Sequence, residues 1–523
     1  MRSFFPRASG LAIERTRRFD RDSRPAFSGG TPPALRVVVD VQSVAPPQWG
    51  TDIATEDTSP SSLLIGLLQS DSILTLFFQD DGAPETVERR SVFGDSSWAP
   101  GWLELSRNTD HDRIAGGVRF VDADGGPCHA IIPEVDWLRL LAQMPRKQGL
   151  YPQLSDEQAV EREQADALLV FASEAAKMDI LVTERPGSIT PRVPIHKKVQ
   201  VLTVRQALAV LGLYLRRYGA YIIARSADGS MTQRVSPLLF WRISSLGLVP
   251  DFERLHDLAH RMSRGDEYNR AAWLSFSAME RIGKALRARD QLHCTLLSPQ
   301  DSDTAIVTTD ALDALLVNFT GLIDTLARMA DIILDIGTRK PYNVAWQKPQ
   351  WLASVRQKDR ILADMMDPAS KHGLEFSILR GLRNCVHGEA LLPFLHEEEP
   401  GNPRHTFIDA PPSEAGALIA SITQCGGKEA WGLENDQSHT ATFDVGKLTE
   451  SLTTRILDLA SQIVGRLAPI GPVNTSSSIA ANSNDQREKA RLELMKENFR
   501  LQLGLSTELV VDGVAAVPSP PHQ

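Results

Sequence analysis

The sequence is poor in cysteine and lacks the paired cysteines of common metal-binding motifs. Its 523 residues include only Cys128, Cys294, Cys385 and Cys425, and no two of them form a CxxC pair. This spacing indicates neither a zinc knuckle nor a disulfide framework. We therefore expect four reduced thiols, as is usual in a cytoplasmic protein.

Several other features of common protein classes are also absent. The chain has no GxGxxG or Walker-type phosphate loop and no GxSxG or HExxH motif, so nucleotide binding and the common hydrolase classes lack support. The longest apolar run, at 207–215, is shorter than the roughly 20 residues that span a membrane. The polar first 33 residues contain no apolar segment typical of an export signal. We expect a soluble, cytoplasmic protein without a membrane partner.

Positive charge is not in excess. The chain carries 56 Lys and Arg against 65 Asp and Glu, a formal net charge of -9. This balance argues against a surface that nucleic acid covers throughout, but it allows a local basic patch.

The first half of the chain shows the pattern of an α/β domain. Short apolar runs alternate with turns. A segment with helical periodicity at 157–177 comes before one strand-like run, and a second such segment at 204–219 comes after another. Alternating helices and strands favour a largely parallel sheet. The strand-like segments are LRVVVDV at 35–41, SILTLFF at 72–78, WLELS at 102–106, GVRFV at 117–121, CHAIIP at 128–133, DILVT at 179–183 and VQVLT at 199–203.

The second half favours a helical bundle. Beyond about residue 235 the strand signals nearly vanish, and helical periodicity dominates, as in the segments 251–262, 269–288, 310–336 and 447–467. We interpret 396–414 as a polar loop between helices. The predicted organisation is a disordered leader at 1–33, an α/β domain at 34–235, a helical bundle at 236–468, a linker at 469–484, an amphipathic helix at 485–505 and a disordered tail at 506–523. The 485–505 helix is expected to dock in cis or on a protein partner.

One predicted helix carries a pattern of reactive side chains. In LEFSILRGLRNCVHG at 374–388, apolar residues occupy one side, and Arg380, Arg383, Asn384 and His387 recur at i, i+3, i+4 and i+7 on the other. Gly388 suits a helix C-cap, which puts His387 in the last turn. An imidazole beside guanidinium groups can move a proton at a phosphodiester and stabilise its developing charge without a metal.

LRNCVHG in a helical bundle resembles the HEPN superfamily, whose members carry an arginine, usually a polar residue next, and a histidine a few positions later. The resemblance implies a bundle that dimerises with its motifs face to face and forms a composite, metal-independent ribonuclease site, often in toxin, antiphage or RNA-processing systems. Arg383 with Asn384 would match the start of the motif and His387 its histidine. Three residues separate Arg383 from His387 and six separate Arg380 from it, against four to six in the family, so both arginines are candidates.

A second passage, ADALLVFASEAAKMDILVTER, resembles the C-terminal half of a PIN-type nuclease domain. In that family an Asp begins the helix and another commonly follows a strand ending in Val-Thr. Asp166 matches the first position, and Glu184 stands at the second. The resemblance implies that these carboxylates hold Mg²⁺ or Mn²⁺ for phosphodiester hydrolysis. Asp40, after the strand-like VVV, is a further acid on this half.

The sequence therefore predicts an α/β domain with PIN-like character followed by a HEPN-like bundle. The expected function is metal-independent RNA cleavage by a homodimer, with His387 as general acid or base and Arg383 or Arg380 stabilising the phosphorane. Two alternatives stay open. The bundle can serve only in dimerisation or in RNA or protein binding, or the α/β half can be a metal-dependent nuclease.

Overall fold

The fold joins an N-terminal sheet region to a mostly helical remainder. The computed structural model describes residues 34–44, 60–79, 101–106, 114–121, 127–133, 150–189, 199–225, 232–262, 270–396, 405–435, 440–468, 497 and 499–505. The predicted leader at 1–33, linker at 469–484 and tail at 506–523 lie outside these ranges, as does most of the predicted helix at 485–505.

The N-terminal region is built on a seven-stranded sheet in the order β5-β4-β3-β2-β1-β6-β7. Five neighbouring strands, β3, β2, β1, β6 and β7, run parallel. The strands β4 and β5 extend the sheet beyond β3 as an antiparallel hairpin. Runs of apolar residues form its central strands because both faces are covered. The strands are β1 (Leu35–Asp40), β2 (Ile73–Phe78), β3 (Gly101–Ser106), β4 (Ile114–Val121), β5 (Pro127–Pro133), β6 (Ile180–Val182) and β7 (Gln200–Leu202).

Helices cover both faces of this sheet. Helices α1 (Pro60–Leu68) and α4 (Val204–Arg217) pack on the face that holds Val37 and Val39, and α2 (Asp156–Ala175) packs on the face that holds Val38. A single turn, α3 (Pro186–Ile189), follows β6. Capping boxes fix the starts of α2 and α4, since Ser155 and Thr203 each exchange hydrogen bonds with the glutamine three residues later. The predicted α/β layer is thus present.

The remainder is mainly helical, as predicted. Its central pair is α7 (Arg270–Leu296) and α8 (Ser302–Ile333), which a short connection holds antiparallel. The other helices are α5 (Pro237–Leu248), α6 (Phe252–Arg261), α9 (Pro349–Lys358), α10 (Arg360–Met365), α11 (Lys371–His387), α12 (Pro412–Gln424), α13 (Lys428–Trp431) and α14 (Val445–Leu467). By length and hydropathy alone α8 could cross a membrane, but half of that window is buried within this bundle.

The prediction that strands nearly vanish beyond residue 235 was wrong in one place. A four-stranded antiparallel sheet, in the order β10-β11-β13-β12, lies among the helices. Its β11 occupies part of the predicted loop at 396–414, and every second residue of the strand, such as Thr406 and Ile408, is buried. Charged and Gly/Pro residues flank the strand and obscure this alternation in the sequence. The small strands are β8 (Ile222–Arg225), β9 (Thr232–Arg234), β10 (Leu392–His396), β11 (His405–Ala410), β12 (Leu433–Asn435) and β13 (Ala441–Asp444).

Buried ion pairs connect α7 to its neighbours. On one side Arg216 of α4 donates two hydrogen bonds to Asp290, at 2.6 Å and 3.0 Å. On another, Glu450 of α14 accepts hydrogen bonds from Arg289 at 2.8 Å and 2.7 Å and contacts His293. Burial alone would raise the pKa of Glu450, but Arg289 and His293 outweigh it and hold that pKa well below its usual range. The Arg216–Asp290 pair therefore connects the two halves, and the pairs with Glu450 connect two helices within the helical remainder.

The C-terminal segment, residues 499–505, packs between the two halves. Leu501 belongs to the core of the sheet region, while Phe499 and Leu503 belong to the core of the helical remainder. Phe499 makes an edge contact with Phe240, with ring centroids 5.3 Å apart. The backbone carbonyl of Gln502 accepts a hydrogen bond of 3.2 Å from the Arg216 guanidinium. The described part of the predicted 485–505 helix therefore docks in cis.

We predict that Phe499→Ala lowers the free energy of unfolding by about 3–5 kcal/mol, because it empties a buried aromatic site between both cores. Urea denaturation followed by circular dichroism would measure this loss. Glu497→Ala in the same segment, where only a 3.9 Å ion pair to Arg500 is lost, is the control and should change stability by less than about 0.5 kcal/mol. Equal effects of the two substitutions would contradict the docking of Phe499.

Candidate functional site

Helix α11 presents the predicted residues on one face. Ser370 caps its start by accepting a hydrogen bond of 2.9 Å from the Gly373 amide, and Gly388 ends it, as predicted. The opposite face is buried in the core through Ile378, Leu379, Leu382 and Cys385. This anchoring leaves the guanidinium groups of Arg380 and Arg383 half-buried, and Asn384 and His387 exposed.

Helix α8 supplies an acid beside the imidazole. Asp313 is half-buried, and its buried Oδ1 has no hydrogen-bond partner among the residues that the structure describes. Burial raises the pKa of Asp313, the neighbouring Asp310 adds to the rise, and His387 opposes it. The carboxylate and the imidazole are therefore close enough to influence one another electrostatically.

A second acid of α8, Asp324, lies among four arginines. Burial raises the pKa of Asp324, and the four guanidinium groups oppose this rise. The arginines are Arg328, Arg380, Arg383 and Arg281. Among the described residues, no ion pair with an N–O distance up to 4.0 Å involves any of the four. One carboxylate therefore faces four positive charges at longer range, and this imbalance favours an anion.

Asp324→Asn tests the electrostatic state of this cluster. The pKa of Asp324 lies above its ordinary 3.8 in the folded protein. Its charged form is thus disfavoured by folding, and stability falls as the pH rises through the folded-state pKa. We expect the free energy of unfolding of wild type to decline relative to that of Asp324→Asn between about pH 4 and neutrality.

Urea denaturation of both proteins across this range would measure the difference. Asp303→Asn, at the exposed start of α8, serves as the control and should run parallel to wild type. A wild type that gains stability relative to Asp324→Asn towards neutral pH would show that the arginines outweigh burial.

A different charged cluster lies at the carboxyl ends of β1 and β6 in the sheet region. The strand order reverses between these two strands, the position where open α/β sheets usually bind ligands. Asp40, at the end of β1, is fully buried and accepts hydrogen bonds of 2.6 Å and 3.0 Å from the Arg185 guanidinium. Ser43 and Thr183 donate further hydrogen bonds to its Oδ2, at 3.0 Å and 2.9 Å.

Asp166 lies on the other side of Arg185. Its Oδ1 is 3.7 Å from Arg185 Nη1 and 3.6 Å from Arg162 Nε, and its Oδ2 accepts hydrogen bonds from the Tyr151 hydroxyl and, at 3.1 Å, from the Gly187 amide. Burial raises the pKa of Asp166, and these donors oppose the rise. A Cβ on Gly187 would lie 2.7 Å from Oδ2, so only glycine permits this approach. Arg185 thus stands between Asp40 and Asp166.

Glu184 does not join Asp166. Its Oε1 accepts a hydrogen bond of 2.8 Å from the Val204 amide at the start of α4. Among the described residues, no three His, Cys, Asp or Glu side chains form a group able to hold a metal ion. Because Asp166 Oδ2 and Glu184 Oε1 accept hydrogen bonds from separate backbone amides, the two carboxylates do not converge on a shared divalent cation.

Substitution of Arg185 tests this conclusion. Arg185→Gln should lower the free energy of unfolding by about 3–5 kcal/mol, because it leaves the buried Asp40 without its cation and Asp166 with Arg162 alone. Since Mn²⁺ can then replace the lost charge, we expect it to raise the melting temperature of Arg185→Gln and to leave that of wild type unchanged. Thermal melts with and without Mn²⁺ measure both effects. Stabilisation of wild type by Mn²⁺ would instead support a native metal site.

Several residues of the cluster around Asp324 and of the cluster around Asp40 and Asp166 were not predicted from the sequence. Asp313 and Asp324 share one stripe of α8, and their spacing among apolar residues is a signal that periodicity could have shown. Arg281 comes from α7, and nothing in the sequence connects it to α11. Arg185 adjoins the predicted Glu184, but the sequence pattern gave it no role.

Comparison with known proteins found no match. No family model, no curated protein and no solved structure matches this chain. Its function therefore has to be inferred from the geometry of its own side chains.

Proposed function

We propose that the protein is a metal-independent endoribonuclease whose site is the exposed face of α11. One observation supports this most: an exposed imidazole shares a helix face with two guanidinium groups that form no ion pair among the described residues. Structural arginines in this protein, such as Arg185 and Arg216, are paired with carboxylates. Arg380 and Arg383 instead leave their donors available to a phosphate.

The proposed reaction is an internal transfer at the RNA phosphate. The ribose 2′-oxygen loses its proton to His387 and attacks the adjacent phosphorus, while the bond to the 5′-oxygen breaks and that oxygen takes up a proton. The products are a 2′,3′-cyclic phosphate and a 5′-hydroxyl. Arg383 or Arg380 binds the non-bridging oxygens as negative charge develops on them. Asn384 lies on the same face of α11, one turn before His387, and can hydrogen-bond to the same phosphate.

A homodimer through this face belongs to the same proposal. One imidazole can act as base or as acid, and a second copy of His387 supplies the other proton transfer. A two-fold axis through this face would bring the two copies of His387 together at one phosphate. We propose a cytoplasmic location, which the free cysteines suit.

We predict that the protein cleaves RNA in excess EDTA and that His387→Ala lowers the rate by about 10²–10⁴-fold, the usual contribution of general acid–base catalysis. Because His387 is exposed, its loss should leave the melting temperature unchanged. Arg383→Ala and Arg380→Ala should also slow cleavage and show which arginine contacts the phosphate. Gel analysis of a labelled RNA, with detection of 2′,3′-cyclic phosphate ends, measures the reaction.

His260→Ala, which removes another exposed histidine on α6, is the matched control and should cleave at the wild-type rate. RNA that is bound but never cut would favour a non-catalytic binding module. Cleavage that requires Mn²⁺ and fails in Asp166→Asn would instead place the activity in the sheet region.

A further inference from the structure

We propose that Arg281 and Arg328, beside the arginines of α11, form a second phosphate subsite, so that the site binds a single-stranded RNA at more than one phosphate. This inference rests on the proposed function and adds residues from α7 and α8 to it. It is carried by a close contact between two helices, by a guanidinium without an ion pair among the described residues and by the length of the α11 face.

The close contact brings Arg281 onto the surface of α8. A Cβ on Gly321 would lie 2.0 Å from Arg281 Nη1 and 2.5 Å from Arg281 Cζ. The guanidinium therefore lies directly against the backbone of α8, in space that any larger residue would fill. Glycine at this position is what lets an arginine of α7 reach the cluster around Asp324, one turn further along α8.

The guanidinium of Arg281 has unused binding capacity. Among the described residues its buried Nε has no hydrogen-bond partner, and no ion pair with a described carboxylate involves the residue. An incoming phosphate cannot reach the buried Nε, but it can bind the terminal nitrogens of the guanidinium and supply the missing negative charge.

The subsite is separated from the reacting group along α11. Seven residues lead from Arg380 to His387, a rise of about 10 Å along a helix. On α8 the two acids are separated in the same order, because Asp324 lies near Arg380 and Asp313 lies near His387. A phosphate bound by Arg281 and Arg328 and the reacting phosphate beside His387 are thus two different phosphates of one strand. Binding the first would hold the second in position for attack.

Asp324 lowers the affinity of this subsite for phosphate. Its carboxylate lies near four guanidinium groups and cancels part of their charge before any ligand arrives. A fully uncompensated group of four arginines would repel itself. Loss of this carboxylate should therefore strengthen the binding of a phosphate strand while the reacting group at His387 stays the same.

The test measures binding separately from cleavage. A fluorescent single-stranded RNA with 2′-O-methyl groups cannot undergo the proposed reaction, and its anisotropy gives the affinity at a series of KCl concentrations. For single strands the slope of log affinity against log salt is about -0.7 per phosphate contact. We expect Arg281→Gln and Arg328→Gln each to weaken binding and to reduce this slope by up to about 0.7. Asp324→Asn should bind more tightly.

A matched control lies on the same helix. Arg287 is exposed, and its position six residues beyond Arg281 directs it to another face of α7. Arg287→Gln removes the same charge and should leave the slope unchanged. Arg281→Lys keeps the charge but loses the planar fork, and it should bind less tightly than wild type. Thermal melts confirm that each variant is folded.

Gly321→Ala gives a test that alters no charge. Its new methyl group displaces Arg281 and should weaken binding as Arg281→Gln does, whereas in the Arg281→Gln background it should have no further effect. Additive losses in the double variant would overturn the contact.

The outcomes separate this inference from the proposed function. Unchanged affinity and slope in Arg281→Gln, with cleavage still dependent on His387, would overturn the subsite and leave the nuclease intact. Binding that depends on Arg281, without cleavage of unmodified RNA, would support the subsite and contradict the nuclease. An RNA that wild type does not bind would overturn both.

Discussion

Helix α7 is the constraint on which the structure depends, because its side chains have to satisfy buried partners on three sides. Asp290 pairs with an arginine of the sheet region, and Arg289 pairs with Glu450 of α14. Arg281, further back along the same helix, lies against α8. A rotation or shift of α7 would break at least one of these contacts, and each broken buried pair is costly. The register between α7 and α8 is therefore fixed within narrow limits.

The two charged clusters of the protein differ in how fully they are satisfied. Around Asp40 and Asp166, guanidinium, hydroxyl and backbone donors supply most of the hydrogen bonds that the buried carboxylates require. Around Asp324 the reverse holds, since arginines outnumber the acid and lie beyond ion-pair distance. A satisfied cluster stabilises a fold, whereas an unsatisfied one at a partly exposed surface favours a ligand. This contrast is why the helical remainder, and not the sheet edge, is assigned the chemistry.

Periodicity predicted much of the fold. It located the strands of the seven-stranded sheet, the long helices and the face of α11, because each has a continuous apolar pattern. It missed the four-stranded sheet, whose strands are short and flanked by polar loops. For the site it found residues within α11, such as His387, since they share one helix. It could not find Arg281, because that contact depends on how two helices cross, which local pattern does not specify.

The position of residues 499–505 has a consequence for how the chain is made. Leu501 completes the core of the sheet region, although nearly three hundred residues separate it from α4 in sequence. Synthesis proceeds from the N-terminus, so the sheet region emerges from the ribosome long before this side chain exists. Until then the surface that this segment covers lacks its partner. The interface between the two halves can therefore be completed only after residues 499–505 have emerged from the ribosome, whenever the rest of the sheet region folds.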